Sequence, residues 1–537
     1  MTVDEGRALV AVGGDLGHLQ WSGDGTAKHR WRPYRVGVYG TDDLRCRWVA
    51  DSRWPVHCFA FHPTLPVVAV GTGSYDGGYA FEGELLIFDL ESGRSTSVIH
   101  GAREVLHVEW ECDRALRLVV APPDDYDLDK AHTHGFAIVV ERPDWMQVLP
   151  GSVRQEELAG QWVEFERPAL REPDGRHVEL LAELADDPWW EPRRRVWVVQ
   201  GLRDGRVLAC LDGVLAEMWL PDGSQEWSVG DEEGGRQLVV RAGGLDVWVN
   251  VERWEVRWVG RQRVIEPPLV ARVSLADGRV LDSLRLGASA SLTTREDGWL
   301  ALRSTDLRNR EVSVLIGPMG EAPEGHVPLG HFDLINHPFL IRRSRHLLFL
   351  QGRGKQPWRD KWVVAVDPTG PSDEPQVRQL FPLDWQTTRA RHLFGGPGIE
   401  VAAGEGRDLV HAGAVYDGAG LLPGNAFVVR RSLMDGAARW VCTADFPVTA
   451  LDGDEDTVYV AFNSGELVAL RTSDGSARWR RILEVRGRPV VPLSLALMGP
   501  GRLVIGTVDG RILDCSITGS AGGWRGRTSG TGTDRVE

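Results

Sequence analysis

Lysine is almost missing from this 537-residue sequence: four of its 61 basic residues are lysines, and the others are arginines. A phosphate-binding loop of the G-x-x-x-x-G-K-[ST] type needs a lysine at a fixed place, and no such motif occurs. The glycine-rich stretches 71–78 and 418–424 also miss the G-x-G-x-x-G spacing of a dinucleotide site. The sequence therefore lacks the common nucleotide-binding loops, and its arginine excess indicates GC-rich coding of bacterial origin.

Cysteine is scarce as well. The six cysteines include no C-x-x-C pair, and each of them lies in or beside an apolar, strand-like run. This pattern favours buried free thiols in a reducing compartment over a disulfide framework or a zinc site.

Long apolar segments and basic charge are also lacking. No apolar run approaches the ~18 residues of a membrane-spanning helix. The start of the chain, MTVDEGRALVAVGG, puts acidic residues before a short apolar stretch, whereas a secretory signal begins with basic residues. The net charge of −15 disfavours binding to phosphate backbones. We therefore expect a cytoplasmic protein with neither nucleic-acid nor membrane partners.

Short strands and glycine turns are abundant instead. Residues 458–481, VYVAFNSGELVALRTSDGSARWRR, alternate apolar and polar side chains through three strands joined by Ser-Gly and Asp-Gly turns. The same pattern recurs at 8–31 and 427–442. Because Trp440 and Trp479 both follow a D-G-x-A-R spacer, we expect them to occupy equivalent, mostly buried places in adjacent repeats.

A repeat of about 40–50 residues that forms a four-stranded meander is typical of a β-propeller blade. Residues 56–99, with IFDLESG, resemble a degenerate WD repeat, and 8–31 and 427–481 resemble the tryptophan-docking repeats of pyrroloquinoline-quinone (PQQ)-type propellers. Together the resemblances cover most of 8–517. They imply a β-propeller of the kind that presents loops to protein partners, in bacteria often as part of larger assemblies. Quinone-dependent dehydrogenases carry adjacent cysteines beside their cofactor; this sequence has no such pair, so we expect the scaffold without the cofactor.

The predicted fold is all-β, a β-propeller with about nine or ten four-stranded blades and one short helical insertion. Candidate blades begin near residues 8, 56, 104, 195, 236, 289, 335, 398, 447 and 490. Since single propellers hold about 4–8 blades, we expect two propellers. The predicted organisation is a first group of blades in 1–151, a charged insertion or junction in 152–195, the other blades in 196–517 and a disordered tail in 518–537. A strand from the N-terminus would close the last blade and remove its exposed edge.

The insertion carries the best candidate for a binding surface. A helix is predicted over 176–187, and Pro188 ends it. Next come two adjacent tryptophans and, after two more residues, three arginines, namely Trp189, Trp190, Arg193, Arg194 and Arg195. Exposed tryptophans with an arginine rim are typical of a protein interface. Alternatively, the segment plugs the gap between two propellers.

Motifs for chemistry are weak. Asp125, Asp127 and Asp129 have the D-x-D-x-D spacing of a calcium loop, but Lys130 stands where such a loop needs glycine. His132 and His134 share one face of a strand without a specified third ligand. No metal, cofactor or catalytic residue is predicted, and a non-catalytic scaffold for protein partners is favoured. The alternative is a propeller hydrolase or lyase whose carboxylates converge on the axis from different blades.

Overall fold

The computed structural model describes residues 1–528 except 17–18, 21–29, 32–33, 76–79, 125–130, 166–174, 186–194, 232–233, 242, 252–255, 260–261, 266–268, 286–288, 307–309, 319–324, 332–338, 370–373, 384–391, 405, 417–420, 486 and 518–524. The chain divides into two compact units, unit 1 (Met1–Pro192) and unit 2 (Arg193–Glu537). Almost all regular structure in the described residues is antiparallel β-sheet, with one α-helix. The predicted all-β propeller class is confirmed, with its four-stranded blades and its single helical insertion.

Blade 9 shows why the repeat folds as it does. Its strands are Val448–Gly453, Thr457–Phe462, Glu466–Arg471 and Ala477–Ile482. Gly465 and Gly475 turn the chain with φ of 86° and 71°, which glycine adopts without strain. The second strand is buried along its whole length, whereas the fourth has no buried residue and half of its residues are exposed. A blade therefore buries the two faces of its middle strands against neighbouring blades and leaves its outer edge to solvent.

In the described residues, unit 1 contains three such blades, and the first strands of blades 2 and 3 pack against each other. Blade 1 consists of Thr2–Asp4, Leu9–Asp15, Tyr34–Gly40 and Cys46–Ser52; blade 2 of Val56–Phe61, Val67–Tyr75, Phe81–Asp89 and Ser95–Ser97; and blade 3 of Val105–Trp110, Ala115–Val120, His134–Glu141 and Gln161–Glu164. A two-stranded ribbon, Leu19–Gln20 with Arg30–Trp31, extends blade 1, and the 3₁₀ turns Trp145–Gln147 and Gln155–Leu158 precede the last strand of blade 3.

The α-helix Gly175–Ala185 lies against blade 1. Leu181 and Leu184 are buried on the sheet, and the Leu184 carbonyl accepts a hydrogen bond from Arg35 at 3.1 Å. A Cβ at Gly37 would lie 2.9 Å from the Leu184 side chain, so the close approach of helix and strand requires glycine there. The helix of the predicted insertion thus covers a sheet face of unit 1.

Unit 2 contains seven blades in the described residues, blades 4 to 10; a bridge between His331 and Gly352 joins the sheets of blades 6 and 7. Blade 9 is given above, and the strands of the others are, for blade 4, Val196–Gly201, Val207–Leu211, Val214–Trp219 and Gln225–Gly230; for blade 5, Gly235–Val240, Asp246–Val251, Leu269–Ser274 and Val280–Arg285; for blade 6, Ser289–Thr294, Leu300–Asp306, Arg310–Ile316 and Gly325–His331; for blade 7, Ile341–Arg342, Leu347–Gly352, Lys361–Asp367 and Gln376–Pro382; for blade 8, His392–Ala403, Gly406–Tyr416, Leu421–Ser432 and Ala438–Ala444; and for blade 10, Pro492–Gly499, Arg502–Thr507, Ile512–Ser516 and Arg525–Thr528. Two short ribbons are added, Val256–Val259 with Gln262–Ile265 and Glu484–Val485 with Arg488–Pro489.

The first strands of blades 4 to 10 contact one another in sequence order, and blade 10 packs back on blade 4. Ser494 Oγ donates a hydrogen bond of 3.0 Å to the Val196 carbonyl across this junction, and Ala496 and Val504 share a core with Val196 and Val199. Unit 2 is therefore a closed ring of seven blades.

The last blade is not closed by a strand from the N-terminus, in contrast to the prediction. Arg525–Thr528, inside the tail expected to be disordered, pairs with Ile512–Ser516 and forms the fourth strand of blade 10. Thr2–Asp4 pairs with Leu9–Asp15 of its own blade. Each strand finds a partner close to it in sequence, so the edge of blade 10 is already covered. The other residues of 518–537 lie outside the described residues.

An aromatic ring on the fourth strand of one blade repeatedly packs against the turn glycine of the next blade. The pairs are Trp48 with Gly93, Trp227 with Gly278, Phe381 with Gly436 and Trp440 with Gly475. These glycines all have φ near 70°, and the missing Cβ leaves a flat surface for the ring. Trp440 and Trp479 occupy equivalent positions on their strands; Trp440 is buried and Trp479 is half-buried.

Candidate functional site

The predicted interface residues fall mainly on a segment that the structure leaves out. Trp189, Trp190, Arg193 and Arg194 lie outside the described residues. Arg195 is described and half-exposed.

Arg195 stands beside a polar cluster of blades 4 and 5. Its Nε lies 3.9 Å from Asp212 Oδ2 and its guanidinium 6.0 Å from the centre of the Trp197 ring. Trp197 Nε1 donates to Asp212 at 2.6 Å, and Arg236 covers the Trp197 ring at 4.2 Å while pairing with Asp212 at 2.7 Å. Arg195 thus has contacts of its own within unit 2.

The inner edge of unit 2 carries a second cluster, built on residues 341–346, here called the strap. The first strand of blade 7, Ile341–Arg342, pairs in parallel with the first strand of blade 8 instead of with its own blade. The strap then turns through Arg343, a non-glycine residue with φ of 54°. Such a left-handed conformation costs an L-residue about 1–2 kcal/mol, so surrounding contacts must hold it.

Those contacts reach across the ring to blades 9 and 10. Arg342 Nη1 donates to the Leu495 carbonyl at 2.9 Å, and Arg343 Nη2 donates to the Leu497 carbonyl at 3.0 Å. Asp452, buried at the end of its strand, accepts from the Leu497 amide at 2.8 Å and lies 3.2 Å from Arg343 Nε. Burial lowers the pKa of Arg342, and Asp452, 3.7 Å away, opposes that change. The strap therefore braces three blades through one carboxylate.

A second buried carboxylate, Glu400 of blade 8, anchors the other end of the strap. Its Oε2 accepts hydrogen bonds from Ser344 Oγ at 2.7 Å, from the Arg345 amide at 3.1 Å and from His346 Nδ1 at 2.9 Å. Its Oε1 accepts from Arg407 Nε at 2.7 Å. Burial raises the pKa of Glu400, but the hydrogen bonds from His346, Arg407 and Ser344 outweigh it and lower the pKa to about 2.

Sequence reasoning missed this cluster because its members come from separate blades and share no local motif. The one local signal is the run IRRSRH at 341–346, which puts three arginines into an otherwise apolar region. Chemically, Glu400 is held as a carboxylate and surrounded by donors. Such a group braces the fold and is poorly placed to act as an acid or a base near neutral pH.

Unit 1 has an open cavity of about 420 Å³ between the first strands of blades 2 and 3, here called the groove. One wall is Phe59–Phe61 with Pro63, and the other is His107–Trp110. Most of these side chains are half-buried, and Glu109 is exposed with Oε2 3.9 Å from His107 Nε2. On the blade 2 strand, His57 Nε2 lies 3.1 Å from Oε1 of Glu104, a buried residue just before the first strand of blade 3. The polar side chains that line the groove, His107 and Glu109, both belong to its second wall.

The charge of the chain is divided unevenly between the units. Residues 1–192 contain 33 acidic and 18 basic residues, so their net charge is −15, the same as that of the whole chain. Residues 193–537 contain 43 of each sign and are neutral overall. The negative field of the protein therefore originates in unit 1.

The described residues contain no group of three or more His, Cys, Asp or Glu side chains arranged to hold a metal ion. Asp125, Asp127 and Asp129 lie outside them. His132 packs edge-on against the rings of Tyr75 and Phe81, at 4.9 and 5.1 Å. Burial raises the pKa of the Cys58 thiol to about 12, so it stays protonated.

None of the helices described is both long enough and apolar enough to cross a bilayer.

No family model matches the sequence, and no curated protein matches it. Among solved structures, the chain is similar to Hsv2 of Kluyvelomyces marxianus, with a TM-score of 0.37 and 8% identity over 60% of this chain and 92% of that one. It is also similar to U3-55K, with a TM-score of 0.41 and 10% identity over 59% of this chain and 89% of that one. The assignment of this chain to the β-propeller fold rests on the ten blades found in its described residues and on the closed ring of unit 2.

Proposed function

We propose that this protein is a non-catalytic β-propeller scaffold that mediates protein–protein interaction in a bacterial cytoplasmic assembly. Its blades would be of the WD-repeat and PQQ-type kinds, without a quinone. The arginine-rich composition supports the bacterial part of the proposal. The six cysteines support the cytoplasmic part because all of them are free thiols, although only Cys210 and Cys515 are buried and Cys46 and Cys112 are exposed. The aromatic rings that pack on turn glycines support the PQQ-type part.

The strap is the observation that carries the proposal. A propeller hydrolase or lyase needs an inner-edge carboxylate that can exchange a proton or attack a substrate. Glu400 and Asp452 are the buried carboxylates that the strap brings to the inner edge of unit 2, and both hold arginines and backbone amides. Their arrangement favours a rigid ring whose outer surfaces and loops bind partners.

We also propose that Trp189, Trp190, Arg193, Arg194 and Arg195, at the end of the predicted insertion or junction 152–195, form a partner-binding surface. The double substitution Trp189→Ala with Trp190→Ala tests this. An interface should lose its partner in co-purification while the melting temperature stays unchanged. A structural plug should instead lower the melting temperature, and no effect on either would remove both roles.

Affinity purification of the full chain from its native host, followed by mass spectrometry, tests the scaffold function. We expect a protein partner in stoichiometric amount that the variant Glu400→Gln still retains, provided that it remains folded. Recovery of the chain alone, together with turnover of a small molecule that Glu400→Gln abolishes, would support the enzyme instead.

A further inference from the structure

We propose that the groove of unit 1 binds a basic segment of the partner polypeptide, with an arginine or lysine side chain seated between Phe59–Pro63 and His107–Trp110. This assignment rests on the proposed scaffold function and names the chemistry of the partner. Size, lining and charge each support it.

The size and position of the groove suit a peptide. Its volume of about 420 Å³ has room for one long side chain and its neighbours. It lies along the first strands of blades 2 and 3, which are edge strands of their sheets in the described residues. An extended segment that lies along these edges can direct alternate side chains into the groove.

The lining suits a long cationic side chain. The stem of arginine or lysine is apolar and packs on aromatic surface, while its head stays near water and a carboxylate. Trp110 supplies an aromatic ring, fixed by its Nε1–H bond of 2.9 Å to the Ala60 carbonyl on the opposite wall. Phe59 and Phe61 also line the groove, but their side chains pack toward the core shared with blade 1. Glu109 supplies the exposed carboxylate at the same site.

The net negative charge of unit 1 also favours a basic segment as the ligand. Its excess of 15 acidic residues attracts basic segments over a long range and repels acidic ones. A phosphate-bearing ligand is therefore disfavoured at the groove, and a cationic peptide is favoured.

The full chain and a fluorescein-labelled peptide of three Gly-Leu-Arg repeats test the assignment by fluorescence anisotropy. The key variant is Glu109→Arg, and its matched control is Glu111→Arg, which makes the same charge change at an exposed residue outside the groove. We expect Glu109→Arg to weaken peptide binding roughly tenfold, because a repulsion replaces an attraction, and Glu111→Arg to weaken it less than about twofold. Thermal melting should show that both variants are folded, since both side chains are exposed.

Equal losses in the two variants would mean that the peptide senses only the general charge of unit 1, and the assignment would be wrong. The assignment would also be overturned if the wild-type chain bound no peptide, or bound the Gly-Leu-Glu version better. Partner capture from the host separates the two proposals. If Glu109→Arg still captures the natural partner, the scaffold function stands and the groove assignment fails. If the peptide depends on Glu109 while no partner is captured, the groove stands and the scaffold function fails.

Discussion

At the scale of single residues, the contact of Trp440 with Gly475 joins blade 8 to blade 9. The Trp440 indole N–H donates to the Thr472 carbonyl at 2.9 Å, and a Cβ at Gly475 would lie 2.6 Å from its ring. We predict that Gly475→Ala costs about 2–4 kcal/mol of unfolding free energy, from a strained φ and a displaced ring. Gly487→Ala is the control: φ there is 75°, with no atom within 4 Å of an added Cβ, so it should cost about 1–2 kcal/mol. Equal costs in urea denaturation would show that the ring contact contributes nothing.

Glu400 is the residue through which pH should act on unit 2. Its pKa is about 2 in the folded chain against an ordinary 4.5, so the folded state favours the carboxylate. The stabilisation is complete above pH 4.5 and is lost as the pH falls toward 2. We predict that wild type loses about 3 kcal/mol more than Glu400→Gln across this range. Urea denaturation at several pH values measures the difference, and Glu226→Gln, an exposed residue of the same unit, should behave like wild type.

At the scale of elements, the strap gives up pairing within its own blade in exchange for contacts with blades 8, 9 and 10. Asp452→Ala would remove the charge partner of the half-buried Arg342 and the acceptor of the Leu497 amide, so we predict a loss of about 1.5–3 kcal/mol of unfolding free energy. A double-mutant cycle that combines Asp452→Ala with Arg343→Ala measures the interaction between Asp452 and Arg343, and we expect a coupling energy of about 1–3 kcal/mol. In Asp452→Ala, hydrogen exchange should become faster at the Leu497 amide, which donates a hydrogen bond to Asp452 in the wild type. Additive losses and unchanged exchange would contradict the bracing role.

The repeated elements were predictable from sequence, and the strap was not. Alternation of side chains and glycine turns are local features, so the start of a blade can be predicted from nearby residues alone. The starts predicted at 56 and 447 correspond to strands that begin at Val56 and Val448. The helix predicted over 176–187 is found at Gly175–Ala185 for the same reason. Glu400 and Asp452 acquire their roles in the strap through Ser344 and Arg343, which lie 56 and 109 residues away in another blade. The fourth strand of blade 10 was missed because its glycine-rich surroundings hide the alternation of a four-residue strand.

At the scale of the whole molecule, charge and closure distinguish the two units. Unit 2 has no net charge and closes on itself, whereas the sequence of unit 1 carries the entire net charge of −15. Because unit 2 has no net charge, repulsion between like charges does not destabilise the ring. The negative charge of unit 1 attracts basic partners from a distance. We infer a division of labour in which unit 2 provides rigidity and unit 1 provides recognition.

If closure is internal to unit 2, the fragment Arg193–Glu537 should fold alone. The packing of Pro492–Gly499 on Val196–Gly201, with the hydrogen bond from Ser494 to Val196, needs no residue of unit 1. We predict a β-sheet circular dichroism spectrum and one cooperative thermal transition for this fragment. The matched control begins at residue 202 and lacks only the strand that receives blade 10. It should melt several degrees lower, because each kcal/mol of lost packing lowers the melting temperature by about 2–4 °C. Two fragments that melt together would show that the ring does not depend on this junction.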